Sequence, residues 1–218
     1  MALSDVARKN MVDCQLRTNQ VTDERLLEVL STIPRENFVP RHMKDMAYVD
    51  EDIALGNGRF LQDPVVLARL IQVAEVQPTD VILDVGCGTG YSTAVLGELS
   101  DTVVGLEQDK KLADKADKAI NDLDICNTAV IKGDLKLGYP EQAPYDVIFI
   151  NGSVPFVPEC FFDQLCDGGR LISVISDNGH MGVATLFEKQ GDEISETQLF
   201  DAATPLLCVF KKEEGFSF

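Results

Sequence analysis

The segment Val81-Ile-Leu-Asp-Val-Gly-Cys-Gly-Thr-Gly-Tyr91 restricts the fold of this chain more than any other. An apolar run of strand length, with Asp84 near its end, passes directly into Gly86, Gly88 and Gly90. An apolar segment of helical character then runs from Ser92 to Leu99. A strand, a tight glycine turn and a helix in this order build the first unit of a parallel α/β sheet, where a nucleotide-like cofactor is held against the turn.

The glycine spacing narrows the cofactor. Dinucleotide turns read G-x-G-x-x-G, whereas the third glycine here comes one residue early. Thr102-Val-Val-Gly-Leu-Glu-Gln-Asp109 reads as a short buried strand ending at Glu107 and Gln108, and a carboxylate there suits ribose hydroxyls. Ala129-Val-Ile-Lys-Gly-Asp-Leu135 reads as a third strand, and the Asp134 carboxylate suits an adenine amino group. The order of these pieces resembles S-adenosylmethionine-dependent methyltransferases. That resemblance implies S-adenosylmethionine as cofactor. It assigns Asp84, Gly86, Cys87, Gly88, Thr89, Gly90, Glu107, Gln108, Gly133, Asp134, Leu135 and Asn151 to its site.

Composition removes other classes. At 218 residues and 45% hydrophobic, the chain suits a single α/β domain over residues 1–218 with a sizeable core. No run approaches the ~20 apolar residues of a membrane span, and Met1 to Asn10 holds no apolar signal core. The six cysteines form no C-x-x-C pair and the chain has only two histidines, so no metal site is expected. Reduced thiols and a cytoplasmic setting follow, with Cys87 read as packing and not as a nucleophile. The net charge of −17 argues against a nucleic-acid partner. The pairs Lys110-Lys111 and Lys211-Lys212 read as solvated faces.

Ser4 to Arg17 and Thr22 to Ser31 read as helices, with Ser4 and Thr22 as N-caps. Residues 50–63 read as a glycine-containing loop or short hairpin, and Pro64 opens a helix running to Val73. Beyond Asp80, strands are expected near 81–85, 102–106, 128–132, 145–150 and 170–175. Helices are expected near 91–99, 109–123 and 158–165. This alternation predicts a Rossmann-like, mostly parallel twisted sheet with helices on both faces. Residues 1–79 form an N-terminal helical layer and substrate loop, and residues 80–218 form the cofactor-binding core. Glu193 to Phe210 reads as two further strands, with Pro205 at an edge or bulge.

The chain also resembles, over most of its length, the protein-L-isoaspartate O-methyltransferases. Ile33-Pro-Arg-Glu-Asn-Phe-Val-Pro40, Ala47-Tyr-Val-Asp50, Leu55-Gly-Asn-Gly58, Gly86-Cys-Gly-Thr-Gly-Tyr91 and Ala143-Pro-Tyr-Asp146 carry the likeness. It implies methyl transfer to isoaspartyl carboxylates of damaged proteins; the alternatives are a methyltransferase of the same fold with a different small or peptide substrate and a non-catalytic cofactor-binding protein. One loop departs from the family. Where relatives have Gln-Thr-Ile-Ser, this chain has Arg59-Phe60-Leu61-Gln62, followed by Asp63-Pro64. Where they have Thr-Ala-Ala, it has Asn151-Gly152-Ser153. Arg59 and Gln62 are therefore expected to receive the acceptor group, Phe60 to wall the entrance or fill core, and Asp63 to set a negative charge nearby.

Overall fold

The computed structural model describes residues 3–177 and 180–211; Lys212 lies outside them. The N-terminal layer begins with α1 (Leu3–Asn10), which runs on through a π-helical stretch, Met11–Leu16, and a 3-10 turn, Arg17–Asn19. It stops at Gln20, whose φ of 68° is left-handed. The next helix, α2 (Glu24–Thr32), is capped by Asp23 and not by Thr22. The Asp23 carboxylate accepts from the amides of Arg25 and Leu26 at 2.9 and 3.2 Å. The helix ends at Ile33, which precedes Pro34 and is extended, as a residue before proline prefers.

Residues 50–63 contain a hairpin, β1 (Ile53–Gly56) and β2 (Arg59–Leu61). Its turn is Asn57-Gly58, with φ of 52° and 71°, the left-handed pair that an Asn-Gly turn allows. Burial alternates along β2: Arg59 and Leu61 are buried and Phe60 is half-buried. Pro64 opens α3 (Pro64–Val73).

From here strands and helices alternate: β3 (Val81–Val85), α4 (Tyr91–Gly97), β4 (Thr102–Glu107), α5 (Lys110–Asn121), β5 (Thr128–Lys132), β6 (Tyr145–Val154), α6 (Glu159–Asp163) and β7 (Leu165–Ile175). Two antiparallel strands follow, β8 (Gly182–Gln190) and β9 (Glu193–Ala202). The seven-stranded sheet has the order β5-β4-β3-β6-β7-β8-β9, parallel from β5 to β7. The chain leaves β3 toward β4 on one side and later returns to β6 on the other. Such a switch in strand order opens a crevice at the carboxyl ends of the strands, and the glycine turn after β3 sits there.

Successive strand residues point to opposite faces and build two apolar layers. Ile82, Val103, Val147, Phe149 and Ile172 pack under the N-terminal layer, α3, α4 and α5. Leu83, Val85, Val104, Leu106, Ile148 and Ile150 pack against Phe161 of α6 and against Leu207 and Phe210 of the C-terminal segment. The second face is thus covered by one short helix and by irregular chain. That segment corrects the sequence reading. Glu193 to Phe210 supplies one strand and not two, and the partner of β9 is β8, over residues 182–190, where no strand is expected from the sequence. Beyond Ala202 the backbone makes an isolated bridge between Leu206 and Ser153 and a 3-10 turn, Cys208–Phe210.

Asp63 is also reassigned. Its carboxylate accepts from the amides of Val65 and Val66 at 2.7 and 3.1 Å, which makes it the N-cap of α3. Replacing a capping Asp by Ala typically costs ~1 kcal/mol. Asp63→Ala should therefore lower unfolding stability by about that amount in urea titration. A variant as stable as the parent would remove the cap assignment.

Candidate active site

Three glycines shape the turn after β3, with φ of 81°, 59° and 91° at Gly86, Gly88 and Gly90. A side chain at Gly90 would meet the Ala116 Cβ at 2.9 Å, so this glycine lets α4 and α5 approach. Gly86 and Cys87 both donate to the Leu106 carbonyl, which ties the turn to β4. The Cys87 side chain is buried. Burial pushes its thiol well above the ordinary range, as a packing residue requires. Thr89 is buried and donates its hydroxyl to the Phe38 carbonyl.

Asp84 is fully buried under the turn. Its Oδ2 accepts from the Ser92 and Thr93 hydroxyls at 2.6 and 2.7 Å, and Asn151 Nδ2 donates to the same Ser92 oxygen at 2.5 Å. Asp84 Oδ1 and Asn151 Oδ1 are buried without any donor. Two acceptors in one network that lack a donor fit a bound ammonium, such as the amino-acid end of S-adenosylmethionine, because a buried unsatisfied acceptor is costly. Ser92 and Thr93 were missed by sequence reasoning. Their signal was present as two hydroxyls in the first turn of the helix after the glycines.

Glu107 is likewise fully buried at the end of β4. Its Oε1 accepts from the amides of Gln108 and Asp109 at 2.8 and 3.0 Å, and its Oε2 from the amide of Gly88 at 2.8 Å. Arg59 completes the set. Its Nε and Nη2 reach Glu107 Oε2 at 3.2 and 3.0 Å, and Nη2 also donates to the Gly86 carbonyl. The Gln108 side chain is exposed, and its backbone is what serves Glu107. Asp134 caps the 3-10 turn Leu135–Leu137 through the Lys136 amide at 2.9 Å. Leu135 is buried behind it and Gly133 lies beside Leu106.

The two residues expected to receive the acceptor group have other partners here. Arg59 faces the glycine turn, so its guanidinium stands on the cofactor side of the crevice. Gln62 is buried, with Nε2 donating to Thr204 Oγ1 at 3.1 Å and Oε1 lacking a donor. The Gln62 carbonyl accepts from buried Arg35, which lies over the Tyr91 ring. Phe60, Gln62, Asn151, Gly152 and Leu207 line a cavity of only about 10 Å³ with Arg59. A larger hollow of about 410 Å³ lies past Leu55 and Thr89, and neither Asp84, Glu107 nor Asn151 lines it.

Burial pushes the Asp84 carboxyl up to about 6, against the pull of Ser92 and Thr93. A carboxyl raised in the folded state costs stability above that pH, and the cost fades as pH falls toward the ordinary value near 4. Asp84→Asn should therefore gain stability relative to the parent at pH 7, by about 2 kcal/mol more than at pH 4.5. Chemical denaturation at both pH values measures this. A difference that does not change with pH would contradict the burial account.

The protein-L-isoaspartate(D-aspartate) O-methyltransferase family model matches residues 7–204. A protein-L-isoaspartate O-methyltransferase of Koribacter versatilis is 36% identical over 194 residues, covering 89% of this chain and 87% of that one. A Methanoculleus marisnigri protein of the same name is 33% identical over 184 residues, covering 84% of each. Among solved structures, a protein-L-isoaspartate O-methyltransferase superposes with a TM-score of 0.78 at 27% identity, over 91% of this chain and 65% of that one. A Plasmodium falciparum structure, described as a beta-aspartate methyltransferase in complex with S-adenosyl-L-homocysteine, has a TM-score of 0.77 at 22% identity. It shares the fold over 95% of this chain and 99% of that one.

Proposed function

The chain belongs to the protein-L-isoaspartate(D-aspartate) O-methyltransferase family, and on that footing we propose that it methylates L-isoaspartyl carboxylates of damaged proteins as a repair step. The observation that carries the reading to this chain's own residues is the pair of donor-less buried acceptors, Asp84 Oδ1 and Asn151 Oδ1, beside an intact glycine turn. When bound, S-adenosylmethionine supplies an activated sulfonium methyl and leaves as a neutral thioether. Asp84 and Asn151 would hold its ammonium, the turn from Gly86 to Gly90 would lie along it, and Glu107 would accept from the ribose.

The chain's own task is positioning. An isoaspartyl carboxylate is ionised at pH 7 and needs no general base. Holding reactants in line can lower a barrier by ~7–11 kcal/mol without one. Gln62 stands where relatives carry a serine; one N–H of its amide goes to Thr204, and the second is the donor it can offer an acceptor carboxylate. Phe60 stands where relatives carry a threonine and lines the small cavity beside Gln62, so it reduces the space there. The net charge of −17 disfavours nucleic acid as substrate, and free thiols suit a cytoplasmic protein. Among the described residues, no helix is long and apolar enough to cross a membrane.

The test is methyl transfer from labelled S-adenosylmethionine to an isoaspartyl peptide and to its aspartyl twin. The expected result is selective labelling of the isoaspartyl peptide, at a lower kcat/KM than relatives with the serine. Restoring Thr-Ile-Ser at residues 60–62 should raise that rate. Equal labelling of both peptides, or of neither, would remove the repair assignment.

A further inference from the structure

The crevice that should hold the cofactor is filled by the chain itself. A cavity of about 10 Å³ holds at most one water, whereas sites for small molecules enclose ~300–1,000 Å³. Two elements take the space. Arg59 lies over Gly86 so closely that a Cβ there would sit 2.7 Å from its Nη2. Leu207 lies over Gly152, where a Cβ would sit 2.7 Å from its Cγ, and a Cβ at Gly86 would sit 3.4 Å from its Cδ1. The glycines that should admit a ligand admit these two side chains instead.

The segment Thr204–Phe210 follows the crevice from end to end. At the Asn151 end, the Ser153 amide donates to the Pro205 carbonyl at 3.0 Å and the Leu207 amide to the Ser153 carbonyl at 2.9 Å. Thr204 receives the Gln62 amide. At the far end, Phe210 joins the apolar cluster of Leu135 and Phe161, beside the turn assigned to the adenine. The match to the family model stops at residue 204, so Leu207 lies beyond it while Arg59 lies within it.

Glu107 shows what the closure does. A carboxylate has roughly four acceptor positions. Three are taken by backbone amides and the fourth by Arg59, so no ribose hydroxyl finds an acceptor until Arg59 moves. We infer that Arg59 and the segment Thr204–Phe210 form an internal gate on the cofactor crevice, in which a guanidinium and Leu207 stand in the cofactor's place and must leave together before it binds. This rests on the methyltransferase reading above. Cofactor affinity is then set by the fraction of molecules with the gate open.

The structure supplies its own lock. A Cβ at Gly58 would lie 3.2 Å from Cys208 Sγ, so Gly58→Cys, whose left-handed φ of 71° strains the turn equally in the oxidised and reduced forms, can form a disulfide that pins the segment to the hairpin. Calorimetry with S-adenosylhomocysteine on the purified chain should give weak binding for the parent. Gly58→Cys oxidised by diamide should bind at least ~10-fold more weakly than the same protein reduced, while the parent is unaffected by the oxidant. Arg59→Gln, the residue relatives carry, should bind at least ~10-fold more tightly than the parent. If Arg59→Gln does not fold, the reversible lock decides alone, because both of its states are one polypeptide. Equal affinity of the locked and reduced forms would overturn the gate and leave the methyltransferase reading standing. No binding by any form, the reduced ones included, would overturn both.

Discussion

The buried carboxylate of Glu107 is the point on which the rest of the crevice depends. It ends β4 with no exposure to water, so all its charge must be met by the protein. The amides of Gln108 and Asp109 turn the chain into α5, the Gly88 amide fixes the turn, and Arg59 brings in the hairpin. Asn57 of the same hairpin donates to Asp109, the N-cap of α5. One carboxylate therefore joins three segments far apart in sequence. Removing Arg59 alone would leave the buried Glu107 charge without its counterion, a loss that commonly costs ~3–5 kcal/mol.

The same arrangement has a chemical consequence. A crevice at the switch point of a parallel sheet is normally empty of side chains, and glycines keep it so. Here the emptiness has been used by a cation from the substrate loop and a leucine from the C-terminal segment. The guanidinium meets the Gly86 carbonyl and a carboxylate suited to ribose, while the acceptors of Asp84 and Asn151 stay without a donor. On the proposed assignment of the site, Arg59 occupies the acceptor meant for the ribose, while the acceptors meant for the ammonium stay open.

Much of this was legible in the sequence. The β3 strand, the glycine turn and α4 were readable because a local pattern fixes all three, and the strands at 102–107 and 128–132 because buried parallel strands read as apolar runs. Asp63 misled because a carboxylate before proline reads equally as a charge or as a cap, and only the helix amides at Val65 and Val66 decide. Arg59 was found as a residue, but not its partners. Sequence showed a cation in the substrate loop, but not that Glu107 would draw it to the cofactor side across the fold. The run Leu206-Leu207-Cys208-Val209-Phe210 looked like a strand because its apolar content is the same whether it pairs with a neighbour or fills a crevice. The partners of Arg59 and of residues 206–210 are long-range, which no local period encodes.

The central claim is that a cofactor and the chain's own Arg59 and Leu207 compete for one crevice. Amide hydrogen exchange at Leu207 and Ser153 tests it most directly, since their bonds to Ser153 and Pro205 hold the segment down. With saturating S-adenosylhomocysteine, both amides should exchange at least ~10-fold faster while the Gly88 amide stays protected. Unchanged or slower exchange at Leu207 and Ser153 in the bound protein would contradict the account.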